Sequence, residues 1–167
     1  MISARVITCS DAASRGERED RSGPAVRELL QSRGYAVDAI VIVPDEIDAI
    51  ANAILDANVR LIVTTGGTGI AARDVTPEAT MRVAERVVLG FGERMRASSP
   101  KAALSRAQAV TRGATLIVNV PGSVAGATEC LGAILDLIPH ALQLLAGETS
   151  HETRNTEHGT RNGGEID

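Results

Sequence analysis

The sequence predicts a three-layer α/β/α domain on a mostly parallel sheet with one antiparallel strand. Three observations lead there. Short apolar, β-branched runs alternate with amphipathic helical patterns, as βαβ units do. One run, Val59 to Thr65, is apolar and β-branched almost without interruption, which suits a strand buried on both faces of a parallel sheet. Late in the chain, two strand-like runs flank Arg112-Gly113, which reads as a hairpin and brings in the antiparallel strand.

The first strand is Arg5 to Cys9, followed by a polar, charged loop from Ser10 to Arg21. Ser22-Gly23-Pro24 opens a helix through Arg33, with Val26, Leu29 and Leu30 on one face and Gly34 as its stop. Val37 to Val43 is the second strand. Glu46 to Ala57 is a helix, with Ile47, Ile50, Ala51 and Ile54 at helical spacing. After the third strand, Thr76-Pro77-Glu78 supplies a cap, a proline at the first helical position and an early acid. That helix runs to about Arg86. Phe91 to about Arg106 is helical but interrupted by Pro100. Gln108 to Thr111 and Thr115 to Val120 are the hairpin strands. A helical pattern from Ser123 to about Leu145 is kinked or divided by Pro139 and stopped by Gly147. Residues 1–150 form the single domain. From His151 onward only Ile166 is strongly apolar, so residues 151–167 are expected to be disordered. There is no internal repeat.

Composition removes several function classes. The only aromatic residues are Tyr35 and Phe91, and there is no tryptophan, so the core must be aliphatic. Single-stranded nucleic acid is bound by stacking bases on several rings, and two rings cannot form that platform. The net charge is −4, with no basic patch for duplex DNA. The cations are sixteen arginines and one lysine, Lys101, so no GxxxxGK[ST] phosphate loop exists. No apolar run approaches the ~20 residues of a membrane span. Met1 to Ala4 leads straight into the first strand with no leader pattern, and Cys9 and Cys130 read as two reduced, buried thiols. A cytoplasmic protein is therefore expected.

Ligands of such folds bind at the carboxyl ends of the strands, and the unusual residues fall there. Thr64-Thr65-Gly66-Gly67-Thr68-Gly69 follows the third strand. It is either a tight turn or a main-chain cradle for a polyanion, with the Thr65 and Thr68 hydroxyls as added donors. Its spacing is not GxGxxG, which disfavours a dinucleotide. In Arg73-Asp74-Val75-Thr76-Pro77, Asp74 either complements the helix start or ligates Mg²⁺ beside bound phosphates. Asp45 in Val43-Pro44-Asp45-Glu46 is either a helix cap or the partner of Asp74. Two carboxylates beside an anion site repel the anion unless a cation intervenes, so the pair favours a metal-dependent polyphosphate site. Asn119-Val120-Pro121-Gly122-Ser123 opens the last helical stretch and offers its N–H groups to an anion. The loop from Ser10-Asp11 to Asp20-Arg21-Ser22-Gly23 also carries Arg15 and Arg18. It is either a solvated loop or a bidentate phosphate grip.

These segments together carry a resemblance. SDAASRGEREDRSGP, PDE, TTGGTG with RDVTPEAT, GFGERMR, LSRA, and NVPGS with ECL resemble the Mog/MoaB family of molybdenum-cofactor biosynthesis, and the N-terminal domain of gephyrin, over about residues 4–147. The resemblance implies a Mg²⁺-dependent transfer of AMP from ATP to the terminal phosphate of molybdopterin, with release of pyrophosphate. It implies Asp45 and Asp74 as catalytic, metal-linked residues. For nucleotide and pterin it implies Ser10, Asp11, Asp20, Ser22, Gly23, Thr65 to Gly69, Thr76, Pro77, Asn119, Pro121, Gly122 and Ser123. It also implies a trimer or a hexamer of two trimers, and contacts with other proteins of the same pathway. Many relatives carry lysine after the PGS motif, where this chain has Val124-Ala125. The alternative function is a non-catalytic molybdopterin-binding or assembly protein of the MoaB type. Of the three histidines two lie in the tail, and His140 reads as a structural residue of an apolar helix, so a histidine base is nearly excluded. Phosphate transfer does not need one, because a phosphomonoester with a second pKa near ~6 is already mostly dianionic at pH 7.

Overall fold

The computed structural model describes residues 1–148, so the tail expected to be disordered lies outside them. Six strands form one sheet: β1 (Ile2–Cys9), β2 (Tyr35–Val43), β3 (Leu61–Thr65), β4 (Arg86–Val87), β5 (Ala109–Arg112) and β6 (Thr115–Val120). Their order is β2-β1-β3-β6-β5-β4. The pairs β1–β2, β1–β3 and β3–β6 are parallel. Only β5 runs against its neighbours, β6 on one side and β4 on the other.

Side-chain alternation along the central strands makes three layers. Val6, Leu61, Val63, Leu116 and Val118 face one side. There they meet the helices α2 (Ser22–Ser32), α5 (Leu89–Arg96), α6 (Val124–Gly132) and α7 (Ile138–Leu145), through Leu30, Met95, Leu131 and Ile138. Ile7, Ile62 and Ile117 face the other side, against Ile50 and Ile54 of α3 (Ile47–Leu55) and Ala79 and Val83 of α4 (Thr76–Val83). All five residues of β3 are buried, the apolar Leu61, Ile62 and Val63 together with Thr64 and Thr65, as suits a strand covered on both faces.

The differences from expectation are local. The loop after β1 contains a single helical turn, α1 (Asp11–Ser14), capped by Ser10, whose Oγ accepts from the Ala13 N–H at 3.2 Å. Helix α4 stops at Val83, and Arg86–Val87 form the short edge strand β4 instead of a last helical turn. Pro100 starts a 3-10 turn, Pro100–Leu104, so α5 is separate from it. Pro139 sits in the first turn of α7, where its missing N–H costs nothing, so the last helical stretch is divided. No helix among the described residues is long and apolar enough to cross a membrane.

The strand register sets where the loops emerge. Cys9 lies opposite Val43, Thr8 opposite Thr65, and Thr65 opposite Val120. Four parallel strands therefore end level, and their four outgoing loops share one edge of the sheet.

Candidate active site

The glycine loop leaves β3 between the ends of β1 and β6. Gly66 has φ +101° and Gly67 φ +65°, backbone that favours glycine. A methyl on Gly66 would overlap the Cys9 carbonyl oxygen, and one on Gly122 would come within 3.1 Å of the Gly66 Cα. These approaches pack the loops after β1, β3 and β6 against one another.

The threonine hydroxyls serve the scaffold. Thr65 Oγ1 donates to the Pro121 carbonyl at 2.8 Å, and Thr76 Oγ1 donates to the Gly66 carbonyl at 2.8 Å. Thr68 and Ser105 hydroxyls bond each other at 3.0 Å. All three threonines are buried, so the donors this loop offers a ligand are main-chain N–H groups. Asn119 is also turned inward: its amide donates to the hydroxyls of Thr64 (2.8 Å) and Thr80 (2.9 Å), and it is fully buried.

The carboxylates converge on the same place. Asp45 Oδ2 accepts from the Asp11 N–H at 2.9 Å, and the Asp45 N–H donates to Asp11 Oδ1 at 3.0 Å. Asp45 Oδ1 is buried without a partner, 3.1 Å from where a Cβ on Gly67 would sit. Burial pushes the Asp45 carboxyl above its usual range, and the charges of Asp11 and Asp74 add to that push, against the Asp11 N–H bond. Asp74 Oδ2 accepts from the Ala71 N–H at 2.9 Å and lies against Gly69. Arg106 fastens this loop: its Nε donates to the Gly69 carbonyl (2.9 Å), an Nη donates to the Asp74 carbonyl (2.6 Å), and it pairs with Glu78. Neither Arg106 nor Arg73 was among the expected site residues. A single arginine leaves no periodic signal, and their roles appear only once the loops are folded.

Asp20 prepares the start of α2. Its Oδ1 accepts from the Gly23 N–H at 3.0 Å and its Oδ2 from the Thr8 hydroxyl at 2.8 Å. Of the three arginines in the loop, Arg15 pairs with Glu17 at 2.9 Å and Arg21 lies 3.9 Å from Glu19. Arg18 forms no ion pair among the described residues, and it lines a cavity at the sheet edge.

Two cavities open at this edge. The first, ≈ 690 Å³, is lined by Ser10, Asp20, Ser22, Asp45, Thr65 and Gly66, with Arg18 and Arg21 at its side. The second, ≈ 820 Å³, reaches Thr68, Gly69 and Pro121, the 3-10 turn and the start of α6, and includes Lys101, Glu129 and Cys130. They share a rim of Gly67, Asp74, Gly122 and Ser123. Asp11, Gly23, Thr76, Pro77 and Asn119 line neither and stand behind the walls. Val124 and Ala125 do line them, one in each cavity. His140 is exposed on α7, contrary to the structural role expected of it, and lines neither cavity. Cys9 borders the first cavity, but burial pushes its thiol up to about 12.

The donor set bears on a metal ion. Among the described residues no cluster of three histidine, cysteine or carboxylate side chains exists that could enclose one. Two carboxylates beside the glycine loop, one of them with a buried, unpartnered oxygen, fit Mg²⁺. That ion keeps waters and substrate phosphates in its shell and takes few protein ligands.

Known proteins are similar to this chain in sequence and fold. A molybdopterin adenylyltransferase of Helicobacter pylori is 42% identical over 154 residues, covering 85% of this chain and 86% of that one. Gephyrin of Dictyostelium discoideum is 41% identical over 157 residues, covering 84% of this chain and 22% of that longer protein. The crystal structure of the molybdopterin biosynthesis enzyme MoaB of Thermus thermophilus superposes with a TM-score of 0.84 at 44% identity, covering 88% of this chain and 98% of that one. The family described as "Probable molybdopterin binding domain" matches residues 5–140, and the chain belongs to that family.

Proposed function

We propose that this protein acts in molybdenum cofactor biosynthesis by transferring AMP from ATP to the terminal phosphate of molybdopterin. The observation that carries the reading is the buried, unpartnered oxygen of Asp45, set beside Asp74 on the rim of two adjoining cavities. Two cavities with a common rim suit two substrates that react with each other. The first cavity, with Arg18, Arg21, Asp45 and the glycine loop, suits the nucleotide's polyphosphate. The second, bordered by Pro100, Ala102, Leu104 and Ala125, suits the ring system of the acceptor.

A phosphate oxygen of molybdopterin would attack the α-phosphorus of ATP, forming a new P–O–P link. The bond between the α-phosphorus and the bridging oxygen breaks, and pyrophosphate leaves. No proton need be removed from the attacking dianion, which fits a site where no histidine of the described residues lines the cavities. The chain's contribution is to place the two phosphates and to offset charge with main-chain N–H groups and Arg18. Asp45 and Asp74 would hold Mg²⁺, which when bound supplies neutralisation of the polyphosphate charge. Trimeric or hexameric assembly belongs to the same proposal: Val87 and Leu89 are exposed beside a groove of ≈ 350 Å³ and offer an apolar face.

The test is direct. Protein mixed with molybdopterin, ATP and Mg²⁺ is expected to release pyrophosphate, and no release with all three present sinks the catalytic reading. The second reading, a binder without turnover, is favoured by Val124 and Ala125 on the cavity walls, where a cation would serve a phosphate better. It predicts molybdopterin binding with no pyrophosphate. Occupancy of the second cavity can be read separately, because Lys101 is the chain's only lysine. Molybdopterin is expected to protect Lys101 from an amine reagent, followed by peptide mapping, and ATP alone is not. Protection by ATP alone would reverse the assignment of the two cavities.

A further inference from the structure

Behind the first cavity lies a chain of charged contacts that reaches the cavity wall only at Asp45. Arg73 grips Asp11 with two parallel bonds, Nε to Oδ2 and Nη2 to Oδ1, each 2.9 Å. Asp11 in turn grips Asp45 by the two reciprocal main-chain bonds of 2.9 and 3.0 Å. Those bonds engage Asp45 Oδ2 and leave Oδ1 buried and unpartnered. The three residues come from three loops, after β1, β2 and β3, so the contacts tie those loops to one another. Stability is a poor explanation for the outer link. The Arg73 side chain is 63% exposed, and exposed ion pairs contribute only about 0–1 kcal/mol.

We infer that Arg73 and Asp11 are positioning residues for Asp45, fixing its carboxylate with one oxygen tied back and the other presented to a divalent cation. The inference rests on the reading of Asp45 and Asp74 as the protein ligands of that cation. Bidentate geometry is what suits arginine to this position. Its planar fork fixes the Asp11 carboxylate in two directions, where a lysine ammonium fixes one point. Asp11, held in that orientation, keeps Oδ1 aimed at the Asp45 N–H.

Charge and positioning predict opposite results for one variant, which makes the inference testable. Removing the Arg73 guanidinium leaves more net negative charge near the site. If charge alone mattered, Arg73→Ala would bind a cation more tightly. If the clasp orients Asp45, it binds the cation more weakly. The experiment titrates the full chain with Mn²⁺ in the presence of α,β-methylene-ATP, reading free Mn²⁺ by electron paramagnetic resonance, and follows the thermal midpoint alongside. Arg73→Ala is expected to weaken Mn²⁺ about tenfold, the size of a lost charge-assisted bond. Asp11→Asn is expected to weaken it similarly, and the double variant no further, because the two residues act in series. Arg73→Lys should recover part of the loss. Unchanged or tighter Mn²⁺ binding by Arg73→Ala, with wild type binding normally, overturns the inference alone. No Mn²⁺ binding by wild type overturns it together with the reading of Asp45 and Asp74.

Discussion

Asp45→Asn and Asp74→Asn are each expected to slow pyrophosphate release by about 100-fold or more while leaving the protein folded. The size reflects the charge to be offset. Neutralisation of a transferring phosphoryl group is worth several kcal/mol, and each ~1.4 kcal/mol is tenfold in rate. Asparagine keeps a side-chain oxygen in both positions, so the acceptors for the Asp11 and Ala71 N–H groups survive. For Asp45 the thermal midpoint should stay level or rise. Its folded-state pKa is raised, chiefly by burial, so the charged form is disfavoured in the fold. That cost is present above the folded pKa and disappears as pH falls below the unfolded one, so at pH 7 the substitution removes it. Loss of activity with a level or higher midpoint identifies a group kept for function against stability. A midpoint that falls by many degrees, or a rate that stays near wild type, contradicts the assignment.

Gly66→Ala should have the largest effect on the fold. The residue sits at φ +101°, where a non-glycine residue costs about 1–3 kcal/mol. Its new methyl would also meet the Cys9 carbonyl, a main-chain atom that cannot rotate away. Overpacking of that kind costs a further ~1–3 kcal/mol. Together these correspond to a fall in the thermal midpoint of roughly 10 °C for a domain of this size. Activity should fall with it, since the Gly66–Gly69 segment forms part of the common rim. Gly16→Ala is the matched comparison: φ is +72°, but no atom lies within 4 Å of the added methyl. Its midpoint should fall only a few degrees, with activity retained. Equal effects of the two variants in differential scanning calorimetry would mean that the crowding at Gly66 is not what constrains the loop.

Much of this architecture was legible in the chain itself. The β-branched run of β3, the helix start at Thr76-Pro77 and the Arg112-Gly113 hairpin all encode their structure within a few neighbouring residues, and all three elements are found. Val75 is the cap position, however, and the Thr76 hydroxyl, expected to cap the helix, donates to the Gly66 carbonyl instead. The features that escaped were either too short or too distant for a local signal. The turn at Asp11–Ser14 is four residues long, and β4 is two residues held by pairing with β5. Pro139 was visible as an interruption, but only packing decides that it begins a helix. At the site, glycines and aspartates could be placed at the strand ends because strand ends are local features. The use of each hydroxyl could not. Thr65 reaches a carbonyl 56 residues away, and Asn119 reaches hydroxyls on β3 and α4. Arg73 and Arg106 act across 62 and 37 residues, distances over which composition and spacing carry no information.

The commitment of those hydroxyls has a chemical consequence of its own. ATP is an electrophile, and an enzyme that positions its α-phosphorus for attack runs the risk of being modified by it. Thr65 and Thr76 have their protons engaged by carbonyls, and Thr68 shares its hydroxyl with Ser105. Cys9 is held as a thiol by burial. A loop built from glycine and from side chains already occupied would, in the proposed transfer, hold the ATP phosphates without offering a competing hydroxyl of its own. Under the proposed transfer, the engaged hydroxyls of this loop favour direct, single-displacement attack, with inversion at phosphorus, over a route through an adenylylated residue of the loop.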